Sequence, residues 1–63
     1  MIRVLVAEDE KPLLRGIVKM IENIDSLFSV VCAACNGKEA IDYLTQHDVD
    51  LVFTDINMPV IDG

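Results

Sequence analysis

Basic residues are scarce in this chain of 63 residues: five Lys and Arg face eleven Asp and Glu, for a net charge of −6. That balance argues against a nucleic-acid-binding surface, which needs clustered cations to neutralise phosphates. It suits a bound cation, a basic partner or plain solubility. Cysteine is limited to Cys32 and Cys35, too few for a disulfide framework, so a reducing, cytoplasmic setting is expected. No apolar run approaches the ~20 residues that cross a bilayer, and no membrane contact is expected. The opening "MIRVLVAEDE" reaches carboxylates too early for a secretory leader. Repeats, low-complexity tracts and linker-like stretches are missing, and no G-x-G follows the first apolar run, which disfavours a dinucleotide-binding unit.

What is present is apolar and regularly spaced. A hydrophobic fraction of 52% excludes disorder. The length allows one small domain, which buries only about 60% of its unfolded surface and is modestly stable. Residues 2–7, "IRVLVA", read as a strand buried on both faces. Pro12 suits the first turn of a helix over about 11–24. Leu13, Leu14, Ile17, Val18, Ile21 and Ile24 form its apolar stripe, with Arg15, Lys19, Glu22 and Asn23 mostly opposite. "FSVVCAA", 28–34, reads as a second buried strand. Asn36 and Glu39 have capping-box spacing for a second helix, running to about Gln46 with Ala40, Ile41 and Leu44 inward. "DLVFT", 50–54, makes a third strand, and "DINMPVIDG" reads as loop.

Strand, helix, strand, helix, strand with short connections is the pattern of an α/β fold with a parallel sheet. Right-handed crossovers with helices on opposite faces force the third strand to the far side of the first, in the order 2-1-3. Ligands of such sheets bind beyond the carboxyl ends of the strands, where the winding reverses. Glu8 and Asp9 end the first strand and Asp55 ends the third, so these acids are expected in one crevice. Clustered carboxylates repel unless a cation joins them. Oxygen-only ligands favour Mg²⁺, Mn²⁺ or Ca²⁺, and the backbone carbonyl of Asn57 can add one more oxygen. A carboxylate beside such an ion is placed to attack a phosphoryl group.

With these residues the chain resembles the receiver domain of two-component response regulators, through "VLVAEDE", "CNGKEAI" and "DLVFTDINMPVIDG" in that order. The resemblance spans nearly the whole sequence. It implies a flavodoxin-like doubly wound parallel sheet, of which residues 1–63 are the amino-terminal βαβαβ half. It further implies that Asp55 is the phosphoacceptor, that Glu8, Asp9, Asp55 and the Asn57 carbonyl bind Mg²⁺, and that a sensor histidine kinase donates the phosphoryl group. Family members are about twice as long and carry a Ser or Thr and a Lys on two further strand–helix units, absent here. Many receivers with similar motifs are joined to a DNA-binding output domain, so the resemblance extends to a transcriptional role for the parent protein. The chain itself is expected not to be an enzyme beyond its own phosphorylation.

Other expectations complete the reading. The bare edge of residues 50–54 invites self-association, as a dimer through that strand. Glu10 reads as a helix-start acid and His47 as a surface residue suited to a helix end. Cys32 and Cys35, three apart on an extended chain, point to opposite faces and read as core thiols. Met58 and Pro59 shape the loop behind Asp55, and Gly37 and Gly63 read as turn and helix-entry devices. Two alternatives stand beside the phosphoacceptor: a Mg²⁺-dependent phosphatase with an aspartyl-phosphate intermediate, and an interaction module that dimerises without phosphorylation. The first strand gives E-D where haloacid-dehalogenase-type phosphatases want D-x-D.

Overall fold

β1 (Ile2–Ala7) is the central strand, and Val4, Leu5 and Val6 within it have no solvent exposure at all. The structure, a computed structural model, describes residues 1–54. Around β1 the chain adds α1 (Lys11–Ile24), β2 (Phe28–Ala34), α2 (Gly37–Leu44) and β3 (Leu51–Thr54). The sheet is parallel, in the order β2-β1-β3. Architecture and strand order are those expected of the flavodoxin-like winding.

Strand alternation explains the two-sided core. Val4 and Val6 pack with Leu14 and Ile21 of α1, whereas Leu5 and Ala7 pack with Ala34 and Ala40 on the α2 side. Burying each Val or Leu side chain contributes about 1.5–3 kcal/mol, so β1 alone anchors much of a small core. β2 carries one extra residue between its pairs Val4↔Val30 and Leu5↔Cys32, a bulge at Val31. Residues 30 and 32 of a regular strand would share a face. The bulge sends Val30 toward α1 and Cys32 toward α2.

α1 begins with Glu10 as its N-cap, in extended conformation, and Pro12 in its first turn. No side chain caps it; the first helical bond runs from the Leu14 amide to the Glu10 carbonyl at 2.8 Å. Asp25 stops the helix and turns the chain into β2: its Oδ1 accepts the Leu27 amide at 2.9 Å. The apolar stripe is wider than the sheet beneath it. Leu14 and Ile21 are buried, but Leu13, Met20 and Ile24 stay exposed.

α2 differs from the sequence reading in length and orientation. It ends at Leu44 rather than Gln46, because the Gln46 and His47 amides both turn onto the Tyr43 carbonyl, at 3.1 and 3.0 Å. Ala40 is buried and Tyr43 packs on the core, whereas Ile41 and Leu44, expected inside, are exposed. Among the described residues nothing packs over that side of α2. β3 starts at Leu51, one residue later than expected, since Asp50 is engaged at its side chain by Arg3. No helix among the described residues is long and apolar enough to cross a membrane.

Candidate functional site

The carboxyl ends of β1 and β3 lie side by side, because Ala7 pairs with Thr54. Glu8 follows Ala7 directly and continues the sheet for one step, its amide donating to the Ala34 carbonyl at 3.0 Å. That continuation draws the side chain inward: Glu8 is 2% exposed, a charged residue in the company of the core. Its Oε2 accepts the Glu10 amide at 3.0 Å, bracing the turn that leads into α1. Asp9, one residue on, is exposed. The two neighbouring acids are thus unlike: one is built into the loop, and the other faces solvent. Glu10 sits at the helix start as expected, and its side chain makes no capping bond.

Asp55 and Asn57, the remaining expected site residues, lie outside the described residues, as do Met58, Pro59 and Gly63. Among the described residues, no group of three or more His, Cys, Asp or Glu gathers as a metal site. Glu8 and Asp9 present oxygen donors only, with no thiolate or imidazole, a donor set suited to a hard divalent ion.

Beside this crevice, at the end of β2, sits a second polar arrangement. Asn36 caps α2, its Oδ1 accepting the Glu39 amide at 2.8 Å. Glu39 does not return to the Asn36 amide as a capping box would. It reaches one residue further, where Oε1 accepts the Cys35 amide at 2.9 Å and the Cys35 thiol at 3.1 Å. The amide and then the thiol hold the Glu39 carboxyl below its ordinary range. Reciprocally, the hydrogen bond to Glu39, with some burial, pushes the Cys35 thiol up. Burial first, then Glu39, raises Cys32. Both thiols are free and partly buried. They contact opposite core clusters, Cys32 on the α2 side and Cys35 on the α1 side, which agrees with the reading against a bridge. His47 is exposed, as expected, and stacks on Tyr43 with ring centroids 4.1 Å apart.

Comparison with known proteins gives a consistent answer. The sequence profile of the response regulator receiver domain matches residues 4–63. A protein-glutamate methylesterase/protein-glutamine glutaminase of Oleidesulfovibrio alaskensis is 40% identical over all of this chain and 17% of its own length. Its counterpart from Nitrosospira multiformis is 43% identical, over all of this chain and 18% of that protein. An uncharacterized response regulatory protein of Staphylococcus epidermidis is 36% identical across the whole chain and 25% of its own length. Among solved structures, a chain of the crystal structure of the P1 domain of CheA3 in complex with CheY6 from R. sphaeroides superposes with a TM-score of 0.83 and 38% identity. That match covers 98% of this chain and 48% of the other. The chain therefore spans about a fifth of the curated relatives and half of the solved one.

These relatives correct one expectation. The chain was expected to stand apart from enzymes, yet several of its relatives are named as enzymes, the match being confined to a small share of their length. With its profile match, its relatives and its sheet order in agreement, the chain belongs to the response regulator receiver domain family.

Proposed function

We propose that this receiver takes a phosphoryl group on Asp55 from a phosphohistidine of a sensor kinase. One observation supports this most: the pairing of Ala7 with Thr54 sets the ends of β1 and β3 next to each other. In the sequence, Glu8 and Asp9 follow the first of these residues and Asp55 the second. In the transfer, an Asp55 carboxylate oxygen bonds to phosphorus as the phosphorus–nitrogen bond to the donor imidazole breaks. The imidazole nitrogen keeps the electron pair and takes a proton from solvent.

The residues that would hold Mg²⁺ are Glu8, Asp9, Asp55 and the carbonyl of Asn57. The bound ion would supply neutralisation of charge on the phosphoryl oxygens. Glu8, fixed by the Glu10 amide, is a pre-set ligand, and exposed Asp9 is an adjustable one. We further propose that residues 1–63 are the amino-terminal half of the receiver domain, a reading supported by the 48% share of the solved relative that they match. That relative's capture in complex with a P1 domain supports a protein partner as donor.

Incubation with Mg²⁺ and acetyl phosphate, followed by intact-mass measurement, tests the assignment. A phosphoryl adduct present in the wild type and missing in Asp55→Asn is expected. An adduct that survives Asp55→Asn would overturn it.

A further inference from the structure

The bulge at Val31 shapes a groove that is separate from the carboxylates. It leaves Cys32 and Ala34 on the α2 side of β2 and turns Ala33, the partner of Val6, toward α1. Ala33 is exposed, and its methyl group is too short to fill the gap between the sheet edge and the helix. A groove of about 330 Å³ results, with Leu14, Val18 and Ala33 as its floor and Arg15, Lys19 and Glu22 along its rim. That volume lies at the lower end of the range for ligand-binding clefts.

The rim is charged in a definite order. Of the five basic residues, Arg3 is held by Asp50, and Lys11 lies near enough to Glu39 to help hold that carboxyl down. Arg15 and Lys19 make no ion pair or hydrogen bond among the described residues. They stand one turn apart, about 6 Å along α1, and Glu22 follows a turn later. Leu14 and Val18 run parallel to them. Along the helix the groove thus presents plus, plus, minus beside an apolar strip. In a chain of net charge −6, two such cations side by side mark a place where an acidic segment is attracted rather than repelled.

Three features select the occupant. The cations lie beside the apolar floor and not at one end of it, which suits charges spaced along a ligand rather than a single-headed amphiphile. The neighbouring edge of β2 is interrupted by the bulge, which blunts it against pairing with an added strand. An α-helix repeats its side chains about every 6 Å at i and i+4, the spacing of rim and floor alike. We propose that the groove between α1 and β2 seats an amphipathic helix of a partner protein. Two of its acids face Arg15 and Lys19, a base faces Glu22, and its apolar residues cover Leu14, Val18 and Ala33. The groove contains none of Glu8, Asp9, Asp55 and Asn57, so this contact needs neither phosphate nor Mg²⁺ and is independent of the Asp55 assignment.

The probes are two capped helical peptides with a Leu strip, one carrying Glu, Glu and Lys at i, i+4 and i+7 and the other the reverse order. Each is titrated into the 63-residue chain without Mg²⁺ or phosphodonor. One of them is expected to bind with a Kd of about 100 μM or tighter, shifting the amides of residues 14–22 and of Ala33. Ala33→Leu, which fills the floor at an exposed position, and Lys19→Glu should each weaken binding at least tenfold while circular dichroism is unchanged. A peptide whose middle Glu is replaced by Lys should reverse the preference, binding Lys19→Glu better than the wild type. No binding by either peptide, shifts centred on β3, or an affinity indifferent to Ala33→Leu or to Lys19→Glu would overturn the proposal. So would self-association of the chain, or adsorption to phosphatidylserine vesicles, that Lys19→Glu abolishes in the absence of peptide.

Discussion

Asp50 clasps Arg3 with both backbone and side chain. Its Oδ2 accepts the Arg3 amide at 2.8 Å and the Nε at 3.2 Å, Oδ1 faces Nη2 at 3.4 Å, and its own amide donates to the Arg3 carbonyl at 2.9 Å. The pair sits where β3 joins β1, just before the first ladder pair Val4↔Leu51. An exposed ion pair is ordinarily worth little, but here the same carboxylate also satisfies a backbone donor. Replacing Asp50 with Ala should therefore fray β3 selectively. Hydrogen exchange at Leu51–Phe53 is expected to speed up severalfold, with the β1–β2 amides unaffected.

Acid should loosen the same corner. The Arg3 side chain, and then the Arg3 amide, hold the Asp50 carboxyl below its ordinary range, and Cys35 does likewise for Glu39. A depressed folded-state value means stability that is complete above the unfolded value, about 3.9 for Asp and 4.3 for Glu. It is lost as pH falls through the folded value. Denaturation midpoints should fall as pH drops below about 4, and the wild type should fall more steeply there than Asp50→Asn and Glu39→Gln.

The thiol of Cys35 should respond to Glu39 in the opposite sense. With its value raised by the Glu39 hydrogen bond, little thiolate forms near neutrality and alkylation is slow. Glu39→Gln keeps an acceptor for the Cys35 amide and removes the charge. Alkylation of Cys35 at neutral pH is expected to accelerate severalfold, read by peptide mass mapping, while Cys32 on the opposite face changes less. Because a raised value stabilises the protonated form, this contribution is intact below about pH 8.5, the unfolded value, and fades as pH rises through the folded one.

Two helix positions should move stability in opposite directions. A Cβ added at Gly16 meets nothing within 4 Å, and the residue lies inside α1. Gly16→Ala should stabilise by about 1 kcal/mol through helix propensity. Asn36 supplies the capping oxygen of α2, and Asn36→Ala should cost about 1 kcal/mol. Urea titration followed by circular dichroism measures both.

Much of this fold is written in residue spacing. The continuous apolar run of β1, the stripe of α1 and the alternation of elements are enough to give the order 2-1-3. The bulge at Val31 is not legible, because an additional Val within "SVVC" leaves the run equally apolar. Nor is the reach of Glu39 to Cys35: the capping-box spacing is present, and which amide it finds depends on how the chain leaves β2. Ile41 and Leu44 look inward by periodicity, but a pattern cannot reveal whether a packing layer exists to receive them. At the candidate site, the sequence marks the acids, whereas the split between buried Glu8 and exposed Asp9 arises from one extra step of sheet pairing with Ala34.

That split separates two variants at the proposed metal site. Asp9 is exposed, so Asp9→Ala removes a proposed ligand and little else; thermal stability should be preserved while Mg²⁺ binding weakens at least tenfold. Glu8 also braces the Glu10 amide at the entry to α1. Glu8→Ala leaves that part-buried donor without its carboxylate, a loss of about 1 kcal/mol, and should lower stability and Mg²⁺ affinity together. Glu8→Gln can still accept from the Glu10 amide, so stability should return while metal binding stays weak. Mg²⁺ titrations monitored by amide chemical shift, paired with thermal melts, measure both effects. Equal loss of stability in Asp9→Ala and Glu8→Ala would contradict the division of labour between the two acids.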